Sequence, residues 1–244
     1  MPRFLINFSY DGTNYNGYQK QKGMKTIQEK METALTSINN NSFVKLTASG
    51  RTDAKVHAIN QYAHADIDVN ITEYKLMRAL NSLLPDDIYV KSTKIVDDNF
   101  HSRYDVISKT YIYKINVGSF NPIERNYVYQ LCKKLDIKKI REATMLLQGT
   151  HDFQNFSSNE HKLKDTVRTV NEIKLIEDGD YLIMTFKSNG FLKYMVRIMV
   201  GILIQIGLGK YAPEYINDIF DSKIKTNYKK IAPAQGLYLL NVTY

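Results

Sequence analysis

The stretch ASGRTDAKVHAINQYAHAD, residues 48 to 66, places a short charged loop between two strand-like segments. Gly50 lets the backbone turn sharply where the first strand ends, and Thr52 can fix that turn with a local hydrogen bond. Arg51 and Asp53 stand on either side of Thr52. On a plain surface hairpin these charges would merely neutralise each other. An aspartate held on a rigid turn beside a guanidinium can instead act as a nucleophile or base, which would make this an active-site loop.

Hydrophobic periodicity around this loop predicts an α+β arrangement for the first half of the chain. RFLINFSYD (3–11) alternates apolar residues as a strand does. TIQEKMETALTSI (26–38) opens with a capping-box spacing and carries an apolar helical face, and TEYKLMRALNSLL (72–84) predicts a helix that stops before Pro85. Three further segments are predicted strands: SFVKLTAS (42–49), QYAHADIDV (61–69) and DIYVKSTKIV (87–96). The resulting order resembles the split βαβ plan, with antiparallel pairing.

The second half repeats this theme. KTYIYKINVG (109–118) predicts a strand, and the residues from 169 to 189 predict a hairpin that turns at EDGD. The remaining predicted elements are the helix DIKKIREATMLLQG (136–149) closed by Gly149, an apolar helix from Phe191, a segment PEYINDIF (213–220), and a last strand GLYLLNVTY (236–244). With no linker between the halves, we place a soft boundary near NFHSRYD (99–105). We expect two domains, 1–104 with the charged loop and 105–244, with antiparallel sheets flanked by helices and a groove between the halves.

Composition indicates a globular protein with a polyanionic partner. Hydrophobic residues make up 43% and charged residues 24% of the 244 positions. Lys plus Arg exceed Asp plus Glu by 33 to 25, which favours nucleic acid. Runs such as KKLDIKK (133–139) and SKIKTNYKK (222–230) are either phosphate contacts or solvated faces. The 18 tyrosines and 10 phenylalanines offer stacking surfaces for unpaired bases, although most are expected in the core.

Three further features limit the class of protein to which the chain can belong. The single cysteine, Cys132, excludes an internal disulfide and a Cys-based zinc cluster, and we expect it to be a buried small hydrophobe. The longest apolar stretch, residues 194 to 209, carries Arg197 and Gln205 and falls short of the roughly 20 residues that span a bilayer. The start, MPRFLINFSYDG, lacks a signal-peptide hydrophobic stretch. We therefore expect a cytoplasmic protein with no membrane association.

Several blocks of the sequence resemble one enzyme family. GRTDAKVHA (50–58) resembles the GRTDAGVHA signature of the tRNA pseudouridine synthase A (TruA) family, with one mismatch. Other blocks that are similar to the family follow in the family's order, so that the resemblance covers essentially the whole chain: YDGTNYNGYQKQ, DDNFHSRYDVISKTYIYKI, HDFQNFS, GFLKYMVRIMVG and APAQGLYLLNVTY.

The resemblance implies a pseudouridine synthase fold with RRM-like halves, a catalytic cleft between them, and roles for four residues. Asp53 matches the catalytic aspartate, and Arg51 the arginine that takes the place of the extruded nucleotide. Tyr111 matches the tyrosine that stacks on the target base, and Arg197 the basic residue that pairs with the aspartate. The family works without cofactor or metal, usually as a homodimer, and isomerises uridine in the tRNA anticodon stem-loop, at positions 38–40.

Each of these roles has a structural alternative. Tyr111 lies in a predicted strand, where tyrosines mostly serve packing. Arg197 lies among apolar helix residues, where a buried charge is costly, so it must reach water or a carboxylate such as Asp53. His57 could be a general base or an RNA contact, or it could be a hydrogen-bonded packing residue. Lys55 stands where the signature has glycine, a position that favours φ > 0, and its ammonium could meet an RNA phosphate.

Three other functions stay open at this point. A paralogue could modify ribosomal RNA or another tRNA position, with Lys55 as its marker. A catalytically idle RNA-binding protein could share the scaffold. Such a protein would be free to lose Arg51, Asp53, Tyr111 and Arg197, and the presence of all four argues against it. A hydrolase that uses Asp53 and His57 lacks a third group and an oxyanion-hole motif.

Overall fold

The computed structural model describes residues 1–158, 165–221 and 231–244. The strands are β1 Arg3–Tyr10, β2 Thr47–Ala48, β3 His57–Asp66, β4 Ile88–Val96, β5 Ser108–Asn116, β6 Tyr129–Gln130, β7 Gly149–Asp152, β8 Val167–Asp178, β9 Tyr181–Ser188 and β10 Leu237–Thr243. The helices are α1 Ile27–Ile38, α2 Glu73–Leu83, α3 Ile137–Leu147, α4 Met195–Gly207 and α5 Tyr215–Asp221. This mixture of paired strands and helices confirms the α+β fold class.

The chain divides into two compact units. The first comprises Met1–Ile107 together with Tyr238–Tyr244, and the second comprises Ser108–Leu237. The sequence boundary at 104/105 lies close to this division, but the last residues of the chain belong to the first unit. The reason is that β10 pairs in parallel with β3, residue Tyr238 lying opposite His57. That pairing joins residues 57 and 238, which lie far apart in the chain.

The first unit is built on a sheet in which β1 pairs antiparallel with both β3 and β4. The alternation that predicts β1 is an alternation of burial: Phe4, Ile6 and Phe8 are fully buried, and the residues between them are partly exposed. The helix α2 ends at Leu83, ahead of Pro85, as predicted. Its N-terminus is capped by the Thr72 side chain, which accepts a hydrogen bond from the Lys75 backbone N–H.

The second unit has an antiparallel sheet in the order β5-β9-β8-β7, and a short β6 pairs in parallel with β5. The predicted hairpin turn lies between Asp178 and Tyr181, with Gly179 at φ +58°. Gly149 follows α3 at φ +106°, the left-handed conformation expected of a glycine that ends a helix. The apolar helix α4 is 13 residues long, and within the described ranges no helix has the length and apolar character needed to cross a membrane.

Three expectations from the sequence need correction. Cys132 is exposed, not buried, because it follows β6 in a turn with φ +52°. The capping box of α1 does not form: Thr26 is the N-cap residue, but its hydroxyl makes no cap hydrogen bond and is buried without a partner among the described residues. The segment 42–49 supplies only the two-residue strand β2. The basic run at 222–230 lies outside the described residues.

A buried histidine fastens the strand pair that carries the charged loop. The ring Nδ1 of His64, in β3, accepts a hydrogen bond from the Ser102 backbone N–H at 3.1 Å, and the Ser102 hydroxyl donates to the Thr47 carbonyl in β2. Burial, together with the smaller effects of the nearby Arg3 and His101, lowers the pKa of His64 to about 4. The imidazole is therefore neutral at physiological pH, as an acceptor at Nδ1 requires.

We expect the stability of the protein to fall between about pH 6.5 and pH 4 because of His64. The unfolded histidine takes up a proton in this window and the folded one resists it, so the free energy of unfolding falls by about 1–2 kcal/mol. Urea unfolding at a series of pH values would measure this. In His64→Asn the amide oxygen can accept the same hydrogen bond without titrating, so that this part of the pH dependence should disappear. Parallel profiles for the two proteins would contradict the role of His64.

Candidate active site

The charged loop, residues 49 to 56, is closed at its base by buried polar groups. The Ser49 backbone N–H donates to the Tyr62 carbonyl at 2.8 Å, and the Ser49 hydroxyl donates to Gln61 Oε1 at 2.7 Å. The amide of Gln61 in turn donates to the Gly50 carbonyl at 3.0 Å. Ser49 and Gln61 are both fully buried, so these bonds form away from competing water. The loop therefore leaves the sheet at a fixed point.

Within the loop, Arg51 is exposed, Thr52 is buried and Asp53 is partly exposed. The Thr52 hydroxyl does not bond locally, as the sequence suggested, but to the hydroxyl of Tyr10, 2.8 Å away in β1. Burial raises the pKa of Tyr10 to about 12, so its hydroxyl stays protonated. The Val56 backbone N–H donates to the Asp53 carbonyl at 3.2 Å and closes the turn. The structure thus holds the backbone of Asp53 from both sides and leaves part of its side chain accessible.

A second segment, residues 12 to 18, lies against this loop. The Tyr18 backbone N–H donates to the Thr52 carbonyl at 3.0 Å, and the Lys55 backbone N–H donates to the Tyr15 carbonyl at 3.3 Å. Two glycines make the approach possible. A Cβ on Gly12 would overlap the Val56 carbonyl, and a Cβ on Gly17 would lie 2.9 Å from the Thr52 carbonyl oxygen.

The sequence pointed to this N-terminal block as a family feature but did not reveal its role as a support for the loop. The two glycines are the sequence feature that could have revealed this role, because glycine lets two backbones approach closely. Tyr18 is 2% exposed, and its hydroxyl has no hydrogen-bond partner among the described residues.

Lys55 has the backbone conformation that the sequence predicts. Its φ is +65°, the left-handed region that glycine adopts readily, so a lysine here is strained by roughly 1 kcal/mol. Its side chain is exposed. The strained residue therefore lies two positions after Asp53, and its exposed side chain does not disturb the packing of the loop.

His57 is a packing residue in this structure. The side chain is 2% exposed, which leaves little surface for RNA. Its Nδ1 accepts a hydrogen bond from the Gly12 backbone N–H at 3.1 Å and lies 3.1 Å from a carboxylate oxygen of Asp11. Its ring stacks on Tyr238 of β10 at 4.7 Å. These contacts fit the structural interpretation of His57 rather than a direct contact with substrate.

The second unit positions the other two candidate residues. Tyr111, in β5, is 8% exposed, and its ring stands nearly perpendicular to Phe191, with 5.2 Å between ring centroids. Tyr113, two residues later, is fully buried and its hydroxyl donates to the Pro233 carbonyl at 2.7 Å. Tyr113 is therefore a packing residue, and Tyr111 retains only a small exposed surface.

Arg197 lies in the first turn of α4 and is half-buried. Its Nε donates to the Ala232 carbonyl at 2.8 Å, and the Ala232 backbone N–H donates to the Arg197 carbonyl at 3.0 Å. The guanidinium carbon lies 5.2 Å from the ring centroid of Tyr194, within the range of a cation–π interaction. These contacts fix the direction of the side chain. Arg197 and Asp53 belong to different units, and an ion pair between them stays a prediction.

No cluster of three or more His, Cys, Asp or Glu side chains that could hold a metal ion occurs in the described part of the chain. The arrangement around Asp53 is that of a carboxylate on a braced loop, with the guanidinium of Arg51 two positions earlier in the sequence. Such a group can act as a nucleophile or base.

We expect Gly17→Ala to destabilise the protein more than Gly23→Ala does. Both glycines have positive φ, +93° and +74°, so both substitutions carry a similar backbone strain of about 1 kcal/mol. Only the new methyl at residue 17 would meet the loop backbone, since nothing lies within 4 Å of the corresponding position at residue 23. Urea unfolding of the two variants would give the difference. Equal losses would mean that the loop is not packed against residue 17.

Comparison with known proteins agrees with this geometry. The profile of the family described as tRNA pseudouridine synthase matches residues 6–105 and 143–244. This chain is 41% identical over 244 residues to the tRNA pseudouridine synthase A of Anoxybacillus flavithermus, which covers 100% of this chain and 99% of the relative. It is 39% identical over 249 residues to the enzyme of the same name from Limosilactobacillus reuteri, covering 100% and 97% of the two chains.

A solved structure titled as a Cbf5-Nop10-Gar1 complex aligns with 82% of this chain and 54% of its own chain, with a TM-score of 0.35 and 11% identity, which is too distant to support an argument. The family profile includes Asp53 and Arg197, whereas Tyr111 lies between its two matched ranges. Because that profile spans most of the chain and the full-length relatives are about 40% identical, this chain belongs to the tRNA pseudouridine synthase family.

Proposed function

We propose that the chain isomerises uridine to pseudouridine in tRNA, within the anticodon stem-loop, with Asp53 as its catalytic residue. The observation that carries this proposal is the charged loop, residues 49 to 56. Its partly exposed Asp53 carboxylate stands on a backbone that is hydrogen-bonded to residues 12 to 18 and to β3. The full-length similarity to enzymes named tRNA pseudouridine synthase A supports the reaction.

The reaction breaks the C1′–N1 glycosidic bond, turns the uracil, and forms a C1′–C5 bond. C5 then loses its proton and N1 gains one, so the reaction consumes no co-substrate and changes no oxidation state. The Asp53 carboxylate can attack C1′, attack C6, or remove the C2′ proton. All three routes need a carboxylate that is fixed in direction and open to the substrate, and the loop provides both.

A target base inside a paired stem must be unstacked first, which costs a few kcal/mol. We assign Arg51 to the space that the extruded nucleotide leaves, since it is exposed on the same loop as Asp53. Tyr111 is assigned to stacking on the base, because Phe191 holds its ring in one orientation. Arg197 is assigned as the partner of the Asp53 carboxylate, since the Ala232 carbonyl and the Tyr194 ring hold its guanidinium in one direction.

The proposal includes the cell compartment and the assembly. The formal charge of +8 suits a tRNA substrate, whose phosphates would be neutralised by the excess of Lys and Arg. We propose a homodimer that works in the cytoplasm without metal or cofactor, as the resemblance to the family implies. One alternative keeps the chemistry and changes the substrate to ribosomal RNA or another tRNA position, and the observation in its favour is Lys55 in place of the signature glycine.

We expect Asp53→Asn to abolish pseudouridine formation while leaving the fold and RNA affinity nearly unchanged. The amide keeps the size of the side chain but is neither nucleophile nor base, so the rate should fall by at least about a hundredfold. Pseudouridine mapping on tRNA and ribosomal RNA, with filter binding in parallel, would measure both effects. Asp178→Asn, at the exposed end of β8, is the matched control and should retain full activity. Turnover of the Asp53 variant within about tenfold of wild type would refute the assignment.

We expect Lys55→Gly to change which RNA sites are modified. The exposed ammonium of Lys55, on the same loop as Asp53, can contact a phosphate, so its loss should weaken RNA binding by about 1 kcal/mol or less. Stability should not fall, because glycine adopts the positive φ at this position without the strain that lysine has there. The site profile on a panel of tRNA and ribosomal RNA would be compared with that of Lys94→Gly, a change at an exposed lysine in β4, outside the two basic runs. Identical profiles for wild type and Lys55→Gly would show that the lysine does not select substrate.

A further inference from the structure

Tyr15 is buried at the centre of a small polar cluster that the reaction described above does not use. Its side chain is 3% exposed, and its hydroxyl donates to Asp87 Oδ1. The ammonium of Lys25 lies 3.5 Å from Asp87 Oδ2 and 4.4 Å from the centroid of the Tyr15 ring. Burial, followed by the hydrogen bond to Asp87, raises the pKa of Tyr15 far above that of a free tyrosine. The hydroxyl is therefore a permanent donor to the carboxylate.

The same cluster fixes the backbone on either side of Tyr15. The Tyr15 N–H donates to the Gly12 carbonyl at 3.0 Å, and the Asn16 N–H donates to the Lys25 carbonyl at 2.9 Å. The Asp87 carbonyl accepts from the Asp11 N–H at 2.9 Å, which ties the cluster to the end of β1. The Tyr15 carbonyl thus has little freedom to move.

That carbonyl is the acceptor for the backbone N–H of Lys55, at 3.3 Å. Lys55 has φ +65° and follows Asp53 by two residues. A strained conformation persists only where its surroundings hold it, and the Tyr15 carbonyl is one of the groups that hold this one. A shift of Tyr15 would therefore reach Asp53 through a single hydrogen bond and two residues of backbone.

We propose that Tyr15, anchored by Asp87, is a positioning residue that sets the direction of the Asp53 carboxylate. The inference rests on the proposed catalytic role of Asp53. Tyr15 acts on the loop through its carbonyl, which accepts from the Lys55 N–H, while its side chain is buried with the hydroxyl on Asp87 and the ring under Lys25. Its influence should appear in the rate of the chemical step and not in the affinity for RNA, because a small displacement of a catalytic group lowers the rate steeply.

The variant Tyr15→Phe tests this directly, because it removes the hydroxyl and keeps the ring on which Lys25 lies. We expect kcat for pseudouridine formation to fall about tenfold or more, with KM for tRNA within about twofold of wild type. Tyr181→Phe is the matched control: its hydroxyl also donates to a carboxylate oxygen, that of Glu124 at 2.6 Å, but in the second unit. This control should leave kcat unchanged.

Asp87→Asn removes the negative charge of the acceptor, and the double variant with Tyr15→Phe should lose no more activity than the worse single variant, since the two residues act as one unit. Additive losses, an unchanged kcat in Tyr15→Phe, or an equal loss in Tyr181→Phe would overturn the proposal.

Hydrogen exchange on the full chain gives a readout that does not depend on activity. Tyr15→Phe should lower the protection of the Lys55 and Val56 amides relative to wild type, whereas Tyr181→Phe should not. If wild type makes no pseudouridine in any RNA, the proposed function fails, and the exchange experiment still decides whether Tyr15 holds the loop. Unchanged protection in Tyr15→Phe would refute that role.

Discussion

The backbone of residues 12 to 18 lies directly against the backbone of the loop 49 to 56, and the two segments bond to each other without intervening side chains. Such an approach requires glycine at residues 12 and 17, because a Cβ at either position would meet a carbonyl of the loop. Each segment therefore supplies hydrogen-bond partners that the other needs, and neither can be placed alone. The position of Asp53 depends on this mutual support more than on the two-residue strand β2 that precedes the loop.

A separate set of buried polar groups holds the base of the loop. Ser49 and Gln61 are fully buried, and their side chains bond to each other and to the Gly50 carbonyl. A buried polar network stabilises one conformation only when its members are satisfied, and here the backbone of the loop provides the missing acceptor. The His64–Ser102–Thr47 chain does the same for the adjoining strands. Short-range polar bonds thus hold the loop that carries Asp53, as a site that keeps its geometry before substrate binds would require.

The sequence predicted the local features of the fold well, because each has a local cause. Alternating burial in β1, the end of α2 before Pro85, the turn at Gly179 and the positive φ of Lys55 all follow from neighbouring residues. The features it missed include pairings of distant residues, β10 with β3 and Tyr15 with Asp87, and two local predictions, the α1 capping box and a full strand at 42–49. A single sequence carries no local signal for such pairings. Cys132 was misplaced for a different reason, since the general tendency of cysteine to be buried gave way to a turn that leaves it exposed.

Two residues with a strained backbone, Lys55 and Tyr194, lie beside residues that the family resemblance assigns to chemistry, whereas a third, Cys132 at φ +52°, does not. Non-glycine residues with positive φ include Asn40 and Asn41, and asparagine tolerates this conformation. Lys55 and Tyr194 do not share that tolerance, and each costs its unit roughly 1–2 kcal/mol out of a typical stability of about 5–15 kcal/mol.

Lys55 lies two residues after Asp53, and the Tyr194 ring lies against the guanidinium of Arg197. Because the two strained residues belong to different units, each unit must offset its own strain by its own packing. In the proposed function, folding rather than substrate binding would orient both charged groups, and binding energy from the RNA would remain for unstacking the target base.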